Sequence, residues 1–197
     1  MTSRKDYEIS LAATHQLDNY VAALEANPAG QRVGEIDFLD SSRLFDRNEV
    51  VRSLPPTLTE DDLIGILRLA LLSEAGADAY AHSFYGSSKK FDSSWLGRFT
   101  EKVLLPDERE HYLPFKELLL NFGFSEKDLD AQVKDVQVMN YEHTSGLAPV
   151  SMTAFSVVLE HITQTYYGLA APLFEGVSPP AAGWIRSVGK RESLHKS

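Results

Sequence analysis

The stretch 59-TEDDLIGILRLALLSEAGADAY-80 decides the fold class. Thr59 followed by three acids is typical of a helix start, because a side-chain oxygen caps the first turn and acids interact favourably with the helix dipole there. Leu67 and Leu71 then recur at helical spacing. Glu74 falls on the same stripe, so the stretch predicts a helix that carries a carboxylate on its core-facing side.

Helical patterns continue along the rest of the chain. Besides the helix from Thr59 to about Tyr85, helices are predicted over residues 2–26, from Trp95 to about Asn121, from Ser125 to about Ser145, over residues 151–170, and from Ser178 onward. Pro106 should kink or divide the third of these, because proline lacks a backbone N–H and clashes with the preceding turn. Residues 31–58 show no sustained period and are predicted to be a lead-in segment on the surface. No alternating strand pattern or internal repeat occurs, so the predicted class is all-α.

Composition limits the kinds of protein this chain can be. It has 197 residues, of which 43% are hydrophobic and 24% are charged, as in folded globular domains. The absence of cysteine excludes disulfides and thiolate metal sites. A net charge of −9 disfavours nucleic-acid binding, and no stretch approaches the ~20 apolar residues of a membrane helix. The first residues lack the apolar core of a signal peptide, so a cytoplasmic location is expected.

Acids and histidines recur in one order along the predicted helices. That order is Glu74, Glu108-x-x-His111, Glu160 and Glu192-x-x-His195. Glu and His three residues apart project from the same helix face, and charged side chains inside apolar helices are rarely buried unless they are paired or bind a metal. One Glu from each of two helices and one Glu-x-x-His from each of two others is the ligand plan of ferritin-like di-metal proteins.

These six residues are therefore candidate ligands for two metal ions. Oxygen-rich ligation with one histidine per metal suits iron or manganese, and Glu108 and Glu192 are the candidates to bridge the two ions. Simpler interpretations are a solvated face for Glu108 and His111, and a polar tail for residues 190–197. Ordinary core or surface roles are predicted for three histidines that fit no repeated spacing: His82, His143 and His161.

Several segments around these candidates share a further likeness. They are Asp37-Phe38-Leu39, Leu69 to Ala75, Ser94-Trp95, Asp107 to His111, and Phe155 to Thr163. Together they resemble the soluble acyl-acyl-carrier-protein desaturases: the stretch before the first bundle helix, the first ligand helix, the Ser-Trp and Glu-Glu-x-x-His of the second, and the third, where Thr is the third residue after a ligand Glu. In that family this Thr lies beside the oxygen-binding face of the iron pair, which implies the same role for Thr163.

The resemblance implies a ferritin-like four-helix bundle with an additional N-terminal helix. Residues 1–58 would form the N-terminal helix and the lead-in segment, and residues 59–197 the bundle with the di-metal site. The six candidate ligands would hold two iron ions, which would use dioxygen to remove hydrogen from an unactivated C–H bond. Desaturation, hydroxylation and N-oxygenation all occur on such sites, so a tailoring oxygenase acting on a small biosynthetic substrate is also open.

The resemblance implies partners as well. It implies a homodimer, a ferredoxin-like electron donor, and an acyl substrate that an acyl carrier protein presents. The carrier protein is acidic and would meet the basic residues near the C-terminus: Arg186, Lys190, Arg191 and Lys196.

Two features depart from the family. Arg191 stands where the family usually has an acid, immediately before the last Glu-x-x-His glutamate. The chain ends two residues after His195, whereas family members continue through further helices, which fits a compact relative or a truncated product. Two rival interpretations remain: a heme-oxygenase-like di-metal oxidase that uses Glu74 and His82, and a non-enzymatic all-α interaction protein with a degenerate metal site.

Overall fold

The structure is a computed structural model that describes residues 11–26, 44–139 and 146–194. Every regular element in these ranges is helical, which confirms the all-α prediction. None of these helices is both long and apolar enough to cross a bilayer. In chain order the described α-helices are α1 (Leu11–Ala26), α2 (Arg47–Ser53), α3 (Glu60–Ala75), α4 (Ala77–Phe91), α5 (Ser94–Phe99), α6 (Leu105–Glu108), α7 (Leu113–Asn121), α8 (Glu126–Gln137), α9 (Pro149–Ala170) and α10 (Pro179–Leu194).

Helix α3 begins where the sequence predicts it. The Thr59 side chain accepts from the backbone N–H of Asp62, and the Asp62 carboxylate accepts from the N–H of Thr59, a reciprocal capping box. The single long helix that was expected is instead divided at Gly76, because glycine is a weak helix former. Asp78, one turn after Glu74, lies beyond this division, is one-third exposed and pairs with Arg109 at 2.7 Å.

The helix predicted from Trp95 to Asn121 is divided at a different proline than expected. Pro106 lies in the first turn of α6, after a π-helical turn over Thr100–Leu104. The break comes later, at residues 109–112, immediately before Pro114 in the first turn of α7. Both prolines occupy first-turn positions, where the missing N–H has no helical partner to lose.

The remaining helices follow the predicted order, with one addition. Helices α9 and α10 match their predicted spans closely, and α8 ends at Gln137, before the expected Ser145. Helix α2 was not expected, because seven residues are too few for a periodic pattern to stand out. Its Val50 is fully buried in the main core. No observation tests the division of the chain at residue 58.

The helices pack into a bundle whose interruptions lie close together. Helix α9 lies along α10 and α4, whereas α3 packs against α7 and α8. The main core includes Leu67, Phe115 and Ile185, and a smaller cluster lies around Phe84 and Trp95. The break after α3 and the break after α6 each follow a candidate ligand within two residues. The ends of α3 and α6 therefore lie beside the candidate site.

Candidate metal centre

Four predicted ligands converge at these helix ends. Glu74 lies near the end of α3, Glu108 ends α6, His111 lies in the following turn, and Glu192 lies near the end of α10. One ligand atom of each lies within 4.8 Å of a ligand atom of all the others. Three of the side chains are 5% exposed or less, and that of Glu108 is 13% exposed. The solvated face that was an alternative for Glu108 and His111 is therefore wrong.

The imidazole of His111 lies at the centre of this group, which we call the carboxylate cluster: Glu74, Glu108, His111 and Glu192. Its Nδ1 lies 2.8 Å from Oε1 of Glu192, 3.3 Å from Oε2 of Glu108 and 3.4 Å from Oε2 of Glu74. All three carboxylates therefore face one edge of the ring. The opposite edge faces Asp107, with Nε2 at 3.5 Å from Oδ2.

Arg191 binds the oxygen of Asp107 that does not face His111. Its Nε and one terminal nitrogen donate to Oδ1 of Asp107 at 2.9 and 2.5 Å, and both side chains are less than 10% exposed. The expectation that Arg191 belongs to a basic surface patch is therefore wrong. The reason is that a buried carboxylate needs a counter-charge, and the guanidinium fork supplies one in fixed geometry. Arg186 pairs with Glu175, which also reduces that patch.

Tyr167 supports the cluster from α9. Its hydroxyl donates a hydrogen bond to Oε1 of Glu74, and its ring packs on Phe115 with the centroids 5.1 Å apart. Burial and the neighbouring Glu74 carboxylate raise the pKa of the Tyr167 hydroxyl well above its usual range. The phenol therefore stays protonated and remains a hydrogen-bond donor to Glu74.

Burial and crowding shift the protonation of the cluster itself. Burial raises the pKa of Glu74, and the negative charge of Glu108 adds to that effect. Burial works against a charge on His111, but the carboxylates of Glu108, Asp107 and Glu192 outweigh it and raise the pKa of the imidazole. Without a cation, burial and crowding therefore favour the protonated forms of Glu74 and His111.

A cavity of ≈ 330 Å³ opens beside the cluster. Its walls are mainly apolar and include Leu104, Phe155 and Leu159, and no lysine or arginine lines it within the part of the chain that the structure describes. Glu74, Glu108 and Glu192 face into it from one side. The other lining residues are Ser73, Gly76, Ala77, Tyr80, Glu160 and Thr163.

Glu160 and Thr163 lie on the cavity wall that α9 forms. Glu160 is 8% exposed and shares the cavity with three carboxylates of the cluster. It is not among the four residues whose ligand atoms lie within 4.8 Å of one another. The Thr163 hydroxyl donates to the backbone oxygens of Leu159 and Glu160 at 3.2 and 3.1 Å. Both residues therefore line the cavity beside the predicted site, and Glu160 is not part of the carboxylate cluster.

The donor set itself fits a divalent metal ion. Three carboxylates that share a low-dielectric site repel one another unless a cation compensates them, and oxygen donors with one imidazole suit iron or manganese. No protein-family model, curated protein or solved structure matches this chain. The resemblance to the desaturases stays a prediction, and the functional argument depends on the cluster and its cavity.

The described histidines other than His111 lie outside the carboxylate cluster. His82 and His161 are exposed, which is the surface alternative of the core or surface roles predicted for them. His195, the sixth predicted ligand, and His143 lie outside the described residues, as do the last residues of the segment 190–197 that was an alternative polar tail. Lys190 is exposed, but Glu192 is buried, so the tail interpretation is wrong for the position that carries the predicted ligand.

Sequence reasoning missed two residues of the site. Asp107 was interpreted only as one of several charges around Glu108, although it stands four residues before His111 and so shares its helix face. Tyr167 was placed on the buried stripe of α9 but was interpreted as ordinary core. A buried tyrosine needs a partner for its hydroxyl, which is the signal that could have directed attention to Glu74.

Proposed function

We propose that this protein is a dioxygen-dependent di-iron oxidoreductase that acts on an apolar, acyl-type substrate. The observation that carries the proposal is the buried cluster of three glutamates and one histidine from separate helix ends, open to an apolar cavity. Glu160, on the α9 wall of the same cavity, and His195 would complete a set of six ligands for two ions. When bound, the iron pair would supply activation of dioxygen.

The protein's own residues would then prepare the reaction. Leu104, Phe155 and Leu159 would bind the apolar substrate and exclude water from the carboxylate side of the cavity. Glu108 and Glu192 are the candidates to bridge the two ions. The Thr163 hydroxyl donates its proton to backbone carbonyl groups, so its lone pairs are directed away from them. Thr163 would therefore accept a hydrogen bond from a protonated group bound in the cavity.

A metal count tests the proposal. Protein produced in iron-supplemented cells is expected to carry about two irons per chain by elemental analysis, and the Glu108→Gln/Glu192→Gln variant is expected to carry none, because it removes both candidate bridges. The matched control is Glu101→Gln/Glu126→Gln, which changes two exposed glutamates and should keep the metal.

The result that would overturn the proposal is equally direct. A wild-type protein with a helical circular dichroism spectrum but no stoichiometric metal would contradict the di-iron function and favour the non-enzymatic interpretation. The heme-oxygenase-like interpretation is tested by His82→Ala. Because His82 is exposed on α4, separated from Glu74 by the break at Gly76, we expect this variant to retain all of its metal.

We also propose that the protein forms the homodimer implied by the resemblance, through the outer face of α9. That helix has no lysine, arginine or aspartate, and its one glutamate, Glu160, is buried. A face without lysine, arginine or an exposed carboxylate can meet itself across a two-fold axis. An exposed face that is mostly apolar marks an interaction surface, and only Ser151, His161 and Thr165 add exposed polar side chains here. Its exposed apolar side chains are Val150, Phe155, Val157, Val158, Ile162 and Leu169.

Sedimentation equilibrium at micromolar concentration checks the dimer. Wild-type protein is expected to sediment as a dimer and Ile162→Lys as a monomer with an unchanged helical spectrum, because the lysine would place two like charges together at the two-fold axis. Val138→Lys is the matched control, since Val138 is exposed at the C-terminal end of α8 and is not part of α9. A monomeric wild-type protein would contradict the assignment.

The other implied partners remain proposals with weaker support. A ferredoxin-like donor would supply the electrons that the reaction requires. An acyl carrier protein would find less positive charge near α10 than the sequence indicated, because Arg191 is buried and Arg186 is paired with Glu175.

A further inference from the structure

Two of the three helices whose glutamates contact His111 carry a second charged residue next to that glutamate. On α6, Asp107 immediately precedes Glu108, and on α10, Arg191 immediately precedes Glu192. Asp107 and Arg191 form an ion pair with both side chains less than 10% exposed. The imidazole of His111 therefore lies between the carboxylate cluster on one edge and this buried pair on the other.

The two oxygens of Asp107 have different partners. Oδ1 accepts from two nitrogens of Arg191, at 2.9 and 2.5 Å, and Oδ2 lies 3.5 Å from Nε2 of His111. A terminal nitrogen of Arg191 also reaches the backbone oxygen of Asp107 at 3.4 Å. Two bonds from one rigid guanidinium hold Oδ1, and a third contact reaches the backbone of the same residue. Together they restrict the rotation that would carry Oδ2 away from His111.

We propose that Arg191 is a positioning residue that acts through Asp107 to hold the His111 ring with Nδ1 toward the three glutamates. An ionised carboxylate only accepts hydrogen bonds, so Oδ2 of Asp107, 3.5 Å from Nε2, favours the ring form with the proton on Nε2. Rotating the ring by half a turn would put carbon atoms where the two nitrogens now lie, and both contacts would be lost. The pair thereby selects one of two ring orientations and makes Nδ1 the atom offered to a metal.

This arrangement explains why an arginine can stand at position 191, where the desaturases usually have an acid. A carboxylate next to a ligand histidine orients the ring and increases its basicity. In this chain the carboxylate comes from α6, and α10 contributes the cation that holds it. The orientation of the ring stands without a metal, whereas the ligand role of Nδ1 rests on the proposed function.

The test combines one measurement without metal and one with cobalt. In metal-free, ¹⁵N-labelled protein, the Nε2–H proton of His111 should give a slowly exchanging imidazole signal that His111→Gln removes. We expect Arg191→Met and Asp107→Asn to abolish this signal. In the same variants, affinity for Co²⁺ should fall by about 10- to 100-fold, as for other residues that orient a ligand histidine, with a change in the visible spectrum of the bound ion.

Two further variants keep the result interpretable. The Arg191→Met/Asp107→Asn double variant should bind Co²⁺ no more weakly than the weaker single variant, because the two residues act in one chain of contacts. Arg98→Met is the control, since the Arg98–Glu25 pair is 41% and 28% exposed, and it should change neither measurement. If Arg191→Met does not fold, Arg191→Lys, which keeps the charge but loses the fork, takes its place.

The possible outcomes separate this inference from the proposed function. A folded Arg191 variant with an unchanged Nε2–H signal and Co²⁺ affinity within twofold of wild type would overturn the positioning role. If the Arg191 variant loses the Nε2–H signal but the wild-type protein binds no Co²⁺, the result would support the ring orientation and contradict the metal function.

Discussion

Replacing Glu74 with glutamine is expected to weaken metal binding by about 100-fold or more while leaving the stability of the metal-free protein almost unchanged. Burial raises the pKa of Glu74, which favours the neutral carboxyl form when no metal is bound. Glutamine has the same shape and is also neutral. Its amide oxygen can still accept the hydrogen bond from the Tyr167 hydroxyl.

The measurement needs both states of the protein. Chemical denaturation with a chelator present should give free energies of unfolding for wild type and Glu74→Gln that agree within about 0.5 kcal/mol. Competition against a metal indicator should show the loss of affinity. Glu49→Gln, a change at an exposed glutamate of α2, should alter neither quantity. Undiminished metal affinity in Glu74→Gln would remove Glu74 from the ligand set, and a large loss of metal-free stability would show that Glu74 is ionised there.

Lowering the pH is expected to weaken metal binding but to increase the free energy of unfolding of the metal-free protein. The pKa values of Glu74 and His111 are both raised in the folded protein, and a metal ion must displace both protons to bind. The apparent metal affinity should therefore rise with pH, by about tenfold per pH unit for each displaced proton. Isothermal titration calorimetry in buffers of different ionisation enthalpy would count those protons.

The stability of the metal-free protein has the opposite pH dependence: it falls as the pH rises. Both groups bind protons more tightly in the folded than in the unfolded chain, so the free energy of unfolding falls as the pH rises from the unfolded pKa values, about 4.3 for Glu and 6.5 for His, through the raised folded values. Denaturation in chelator at a series of pH values checks this. Metal affinity that does not depend on pH, or a metal-free protein that becomes more stable with rising pH, would contradict the protonation assigned to the cluster. His111→Gln should remove one displaced proton from the count.

Local signals predicted most of the helices. Thr59 with its following acids marked the start of α3, and the prolines at 149 and 179 lie in the first turns of α9 and α10, where proline fits without loss. The interruption at Gly76 was missed because a helical pattern tolerates an isolated glycine. The choice between Pro106 and Pro114 as the breaking residue depends on the π-helical turn before α6, which leaves no periodic trace in the sequence.

The order of glutamates and histidines along successive helices made part of the site predictable. The order of glutamates and histidines brought Glu74, Glu108, His111 and Glu192 to attention, and the structure brings these four together. The pairing of Asp107 with Arg191 could not be predicted, because the two residues lie 84 positions apart. The sequence around either residue contains no signal that identifies the other as its partner. Arg191 therefore looked like a surface charge until the helices were packed.

The distribution of the cluster along the chain has a kinetic consequence. Glu74 and Glu192 are separated by more than half of the sequence, and the segment between them includes every helix from α4 to α9. Closing so long a loop is entropically costly and comes late in folding, after local helices have formed. A partly folded chain would therefore offer a metal ion only single glutamates or the Glu108–His111 pair. Capture of a metal by the complete set should follow the docking of α10, so the rate of metal uptake would report the last step of folding.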